Sequence, residues 1–194
     1  LSAMQNFTFA NNFLGYIYRT GKGVQQNYAK SKMHYEIASR KYHASSFYEL
    51  GSFYSNGEGV DVNIEKAIEC FLLVIKINDE KNLEHYSRNF FKYDGLSFKF
   101  DRTYYLAYNN IGVISLIEPS YFNILKAEKC LKITGFSEYC FGKNNLGVFY
   151  QFYLNKIEYA EHMYLEASTK KFSLAQFNLG FLREIEGKTD ESID

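Results

Sequence analysis

The sequence has no tryptophan, one proline, three cysteines and no surplus of either charge, with 22 basic residues against 22 acidic ones among 194. Each shortage excludes something. Without a run of five like charges there is no concentrated basic surface for a phosphate backbone, so nucleic acid is not an expected partner. The longest purely apolar stretch, residues 70–75, is far too short to span a membrane. Cys70, Cys130 and Cys140 are widely spaced, with no C-x-x-C pair and no histidine at a ligand interval. An odd, scattered set fits reduced thiols and a cytoplasmic setting better than a disulfide framework, and no metal or other cofactor is expected. With Pro119 alone to interrupt it, the chain favours helix over sheet. Catalytic signatures are missing too: there is no G-x-S-x-G elbow, no H-E-x-x-H, no Cys-His pattern and no dinucleotide fingerprint. His34, His43, His85 and His162 are scattered and are expected to be structural or solvated. Residues 1–6 carry neither an initiator methionine nor a basic-then-apolar leader, which points to an internal piece of a longer protein or to a trimmed chain, with a removed leader a further alternative.

What the chain does have is aromatic mass, 18 Tyr and 18 Phe within a 46% hydrophobic composition, enough for a folded object. It also has an internal repeat. Leu14, Gly15, Tyr18, Gly21, Gly23 and Val24 recur 36 positions later as Leu50, Gly51, Tyr54, Gly57, Gly59 and Val60. Leucine, glycine and tyrosine at helical spacing, followed by a Gly-x-Gly turn, mark a helix-turn-helix unit that buries its apolar face only by stacking on copies of itself. The two glycines do not form a phosphate loop, since Gly-Lys-Gly-Val closes a helix where a P-loop opens one after a strand.

The second helix of each unit, helix B, follows one template. Tyr28, Ser31, Tyr35 and Ala38 are spaced three, four and three, and so are Ile64, Ala67, Phe71 and Val74; Ile124, Ala127, Leu131 and Thr134; and Ile157, Ala160, Tyr164 and Ala167. The first helices, A, share an apolar-Gly pair: Leu14-Gly15, Leu50-Gly51, Ile111-Gly112, Leu146-Gly147 and Leu179-Gly180. Ala10, Leu14 and Tyr18 are expected to form the inner stripe of the first A helix. The repeats fall at about residues 7–42, 43–78, 104–137 and 138–171, with a half repeat at 173–187. An irregular insert, 79–103, separates the second from the third. Within it Leu83, Tyr86, Phe90 and Tyr93 keep the helical spacing and predict an additional helix ending at Asp94 and Gly95, followed by an aromatic segment with Leu96, Phe98 and Phe100.

The pattern L-G-x-x-Y-x-x-G-x-G-V resembles the Sel1-like repeat family, relatives of tetratricopeptide repeats. The resemblance implies an all-α fold, a right-handed α/α superhelix of about five such units forming one array over 1–194. It also implies a noncatalytic scaffold that binds a protein or peptide on a concave surface lined by A helices. Two other readings stay open: an architectural subunit of a larger assembly, and a hydrolase like some cysteine-rich relatives, although their paired cysteines are absent here. Carried over by position, residues two before each apolar anchor (Asn12, Tyr48, Asn109, Asn144 and Phe177) and two after it (Tyr16, Ser52, Val113, Val148 and Phe181) would face the groove. The amides of Asn12, Asn109 and Asn144 would then hold a peptide backbone while rings and valines take its side chains.

Overall fold

A computed structural model describes residues 2–89 and 101–187. Among them it contains nine α-helices and no strand. In chain order these are α1 (Ser2–Thr20), α2 (Tyr28–Ser39), α3 (Ala44–Asn56), α4 (Ile64–Asn89), α5 (Arg102–Ile117), α6 (Ile124–Gly135), α7 (Cys140–Phe152), α8 (Ile157–Ser168) and α9 (Ser173–Ile185). Odd-numbered helices carry the apolar-Gly pair and even-numbered ones the B template. The chain divides into two compact units, Leu1–Ala107 and Tyr108–Asp194.

In both units the B template decides the packing. Its last three positions are buried in every copy: Ser31, Tyr35 and Ala38; Ala67, Phe71 and Val74; Ala127, Leu131 and Thr134; Ala160, Tyr164 and Ala167. Residues three and four apart share one helix face, so each B helix presents a single strip to its A helix. The bulky member of that strip lies on the A-helix glycine. A Cβ added at Gly15 would come within 2.7 Å of the Tyr35 ring, at Gly51 within 2.6 Å of Phe71, at Gly112 within 2.9 Å of Leu131 and at Gly147 within 2.6 Å of Tyr164. Only a residue without a side chain admits that approach.

The turns between A and B share a closing bond despite their different lengths. Asn27 N–H donates to Tyr18 O, Asn63 to Tyr54, Asn123 to Ser115 and Lys156 to Tyr150, each at 2.8 Å. In three of them an asparagine also caps the following helix: Asn27, Asn63 and Asn123 accept from the backbone N–H of Lys30, Lys66 and Lys126. In the first two turns the glycines take left-handed backbone, with φ of +71° at Gly57 and +67° at Gly59, a conformation that costs a side-chain-bearing residue about 1–3 kcal/mol. In the third, α5 stops at Ile117 and Pro119 opens a short 3-10 turn.

Two expectations change. Residues 64–89 form one helix of 26 residues, so the first part of the insert prolongs α4 where a separate helix was expected. No glycine or proline lies between Ile64 and Asn89 to break it. The expected end at Asp94 and Gly95 and the aromatic segment 96–100 lie outside the described residues. Over residues 7–20 of α1 the buried residues are Thr8, Asn11 and Gly15, while Ala10 and Leu14 are exposed. Later anchors such as Leu50 pack on the B helix before them, here against Tyr35. Among the described residues no B helix covers the corresponding side of α1.

Candidate functional site

The ten candidate positions separate by environment. Asn109 and Asn144 are only 7% and 1% exposed. Their amides bond the neighbouring A helix: Asn145 Nδ2 on α7 donates to Asn109 Oδ1 on α5 at 2.8 Å, and Asn178 Nδ2 on α9 donates to Asn144 Oδ1 at 2.9 Å. Asn144 Nδ2 in turn donates to Asn145 Oδ1 at 3.2 Å, which joins the two bonds into one relay. In the other unit Asn12 Nδ2 donates to the buried Ser46 Oγ on α3 at 2.9 Å. The expected ladder of amides facing a groove is therefore corrected. At Asn12, Asn109 and Asn144 the position two before the anchor meets the next A helix, and the amide is already used in the seam between them. The adjacent pairs Asn109-Asn110 and Asn144-Asn145, with Asn178 at the matching place in α9, were the sequence signal for it.

The apolar candidates divide in the same way. Val113 and Val148 pack against the core of Leu131, Leu146, Phe149 and Tyr164, and Tyr48 is half-buried with its ring 5.8 Å from Phe71. Ser52 is buried and bonds back to Tyr48 O at 3.2 Å. Three candidates reach solvent: Tyr16 at 39%, Phe177 at 68% and Phe181 at 45%. They do not stand alone. Tyr16 stacks with the exposed Phe13 at 6.5 Å between centroids, and Phe9 lies one turn further back on the same face of α1. Phe177 and Phe181 stack at 6.4 Å with their planes 5° apart. Sequence reasoning found the tyrosine and missed Phe9 and Phe13, although their spacing of four and then three from residue 9 to residue 16 is that of one helix face.

Charge is concentrated elsewhere. Arg19, at the end of α1, forks onto Glu58 with two bonds of 2.7 Å, pairs with Glu49 and lies 5.2 Å over the Phe53 ring. The hydrogen bond from Arg19 holds the Glu58 carboxyl below its usual range, whereas burial pushes Glu49 up despite the same guanidinium. This cluster ties the first A helix to the turn and helix of the next repeat. In the second unit a cleft is lined by residues including Glu138, Lys143, His162, Glu166 and Lys170. Lys143 pairs with Glu166 there, and Lys170 Nζ donates to the backbone carbonyl of Glu138 at 2.8 Å. Burial raises the Cys70 thiol to about 11, so it is not a ready nucleophile. Among the described residues no group of three or more His, Cys, Asp or Glu is placed to hold a metal ion, and no helix is long and apolar enough to cross a membrane.

Comparison with known proteins places this geometry. The model of the Sel1 repeat matches residues 8–43 and 45–73. A Sel1 repeat protein from Oxalobacter formigenes has a similar structure, with a TM-score of 0.62 at 19% identity, covering 90% of this chain and 63% of that one. A protective antigen present in uropathogenic Escherichia coli strains, displaying an SLR fold, aligns with 98% of this chain and 44% of its own length at 21% identity and a TM-score of 0.42. This chain thus spans less than two thirds of either protein. A search of curated proteins gives no match. The first likeness shows the fold, an all-α repeat solenoid.

Proposed function

Because residues 8–43 and 45–73 belong to the Sel1 repeat family, whose members commonly mediate protein–protein interaction, we propose that this chain is a noncatalytic scaffold that holds a protein partner on exposed aromatic faces of its A helices. The observation that carries this reading is the division among the candidates: the polar groups serve the seams, and large rings are left in water. Phe9, Phe13 and Tyr16 on α1 form one stripe, and Phe177 and Phe181 on α9 another. Apolar area of this kind stabilises a complex by roughly 25 cal/mol per Å² removed from water, and aromatic rings dominate such contacts. We do not favour the hydrolase reading, because Lys143 and Glu166 of the cleft pair with each other and the half-buried Cys70 thiol is pushed up.

The α1 stripe supplies the test. Serine at positions 13 and 16 removes two solvent-facing rings and disturbs nothing buried. Crosslinking followed by mass spectrometry on the wild-type chain and on the Phe13→Ser, Tyr16→Ser variant should recover one partner from the first and lose it from the second, with unchanged helix content. Equal recovery would overturn the assignment to α1.

A further inference from the structure

The cleft of the second unit holds charge where the repeat does not need it. Lys143 stands three before the anchor Leu146 on α7, and Glu166 two after Tyr164 on α8. The same places in the second repeat, three before Leu50 and two after Phe71, are taken by Phe47 and Leu73, both half-buried. The place of Lys170, six after Tyr164, is taken there by the buried Ile77. An ion pair in such a setting contributes little over apolar side chains of similar size, because the loss of hydration offsets the attraction. Packing therefore does not explain why the later repeat carries Lys143, Glu166 and Lys170.

The charges are also unequal. Two lysines and a histidine gather round one carboxylate: Lys143 bonds Glu166, His162 Nε2 lies 3.6 Å from its Oε1, and Lys170 faces it from the turn after α8. The Lys143 bond, with the nearby charges of His162 and Lys170, holds the Glu166 carboxyl below its usual range. Lys170 forms no ion pair among the described residues, and neither does the exposed Glu138. One of the three donors on the Lys170 ammonium is taken by the backbone carbonyl of Glu138, which holds the head at the cleft wall and leaves two donors open. The cleft itself is about 520 Å³ and open, and Phe136 and Leu165, 67% and 45% exposed, give it apolar walls.

Resting on the scaffold reading, we infer that this cleft is a second contact for the protein partner and takes an acidic segment of it, with a Glu or Asp carboxylate on Lys170 and His162 and an apolar neighbour against Phe136 and Leu165. Charge selects that chemistry. A basic segment would meet Lys170 and Lys143 with like charge, and a wholly apolar one would cover the Lys170 ammonium without pairing it.

The probe is the capped peptide acetyl-Leu-Glu-Leu-Glu-Leu-amide, titrated into the isotope-labelled full chain and followed by amide NMR. Saturable shifts are expected over residues 136–143 and 162–170. The glutamine analogue should bind about tenfold more weakly or worse, as loss of one charged hydrogen bond requires, and this arm does not depend on how any chain variant folds. Lys170→Glu, a change at an exposed position, should lose the acidic peptide and accept its lysine counterpart instead. Equal binding of the glutamate and glutamine peptides, shifts outside the cleft alone, or no saturable shift overturns the proposal. So does an equal response to inorganic phosphate, which would make the cleft a general anion site. A glutamine peptide with a free C-terminus that binds as tightly as the capped glutamate peptide would give the cleft to a chain end and overturn the assignment to an acidic side chain. None of these outcomes touches Phe13 or Tyr16, so failure here is separable from failure of the scaffold reading.

Discussion

Replacing Gly51 by alanine asks whether the glycines are packing devices or ordinary helix residues. The new methyl would sit 2.6 Å from one Phe71 ring carbon and 2.9 Å from a second, where carbon atoms prefer about 3.5–4.0 Å. Phe71 is fully buried, so the ring or the helix must yield by roughly 1 Å, and overpacking of that kind costs about 1–3 kcal/mol. Alanine returns about 0.8–1.0 kcal/mol of helix propensity. The net expectation is a loss of about 0.5–2 kcal/mol, or a few degrees in melting temperature for a chain of this size. The same change at Gly180, where nothing lies within 4 Å, should stabilise by about 0.5–1 kcal/mol. Urea unfolding followed by far-UV circular dichroism, with amide exchange to localise the effect, reads both signs. A third arm closes the cycle. Phe71→Ala alone should cost about 3–5 kcal/mol, and in that background Gly51→Ala should lose its penalty, leaving a coupling of at least about 1 kcal/mol. If Gly51→Ala stabilises as Gly180→Ala does, or its cost survives the removal of Phe71, close helix approach is not what the glycine provides.

Asn144→Ala should lower stability by about 1–3 kcal/mol, because it orphans the Asn178 donor and the Asn145 acceptor in a buried seam; a chain that unfolds at the same urea concentration as wild type would contradict the relay. The two glutamates on Arg19 should respond to pH in opposite senses. Glu58 titrates lower in the folded chain than in the unfolded one, so its contribution is present above the unfolded pKa and lost as pH falls through the folded value. Glu58→Gln should cost about 1–2 kcal/mol at neutral pH and nothing in acid. Glu49 titrates higher when folded, so its contribution is full below the unfolded pKa and lost as pH rises through the folded value, and Glu49→Gln should flatten the melting curve at the neutral end; parallel melting profiles for the two variants would refute the assignment.

The B helices were legible in the sequence because one spacing of small and bulky residues recurs four times, and burial follows it at the last three of its four positions; the first is half-buried at Tyr28, Ile64 and Ile157 and exposed at Ile124. The extent of α4 was not, since a helix that outgrows its repeat leaves no mark except the lack of a breaker between Ile64 and Asn89. Asparagine was the harder lesson. At Asn12, Asn109 and Asn144 its two-sided hydrogen bonding suits a peptide backbone or another side chain equally well, and only the position of the adjoining A helix decides between them. Phe177 and Phe181, which the family pattern placed in a groove, are exposed on α9. The pattern gave no reason to find Gly180 open, because a glycine's exposure depends on whether another helix packs over it and not on the residues beside it.

The amide relay of α5, α7 and α9 has a direction. Asn178 gives to Asn144, Asn144 to Asn145, Asn145 to Asn109, and Asn109 reaches on to Asn110 at 3.5 Å. Turning over any inner amide sets donor against donor on one side and acceptor against acceptor on the other, so the members must keep one sense together. Apolar strips forgive a helix that slides along its neighbour, since one leucine or phenylalanine fills a gap nearly as well as another. A thread of amides does not: a slip of one turn, about 5.4 Å, breaks it at two places and strands the buried amides of Asn109 and Asn144. The thread therefore proofreads the stacking, and it marks a helix docked out of register as wrong even where the hydrophobic contact alone would accept it.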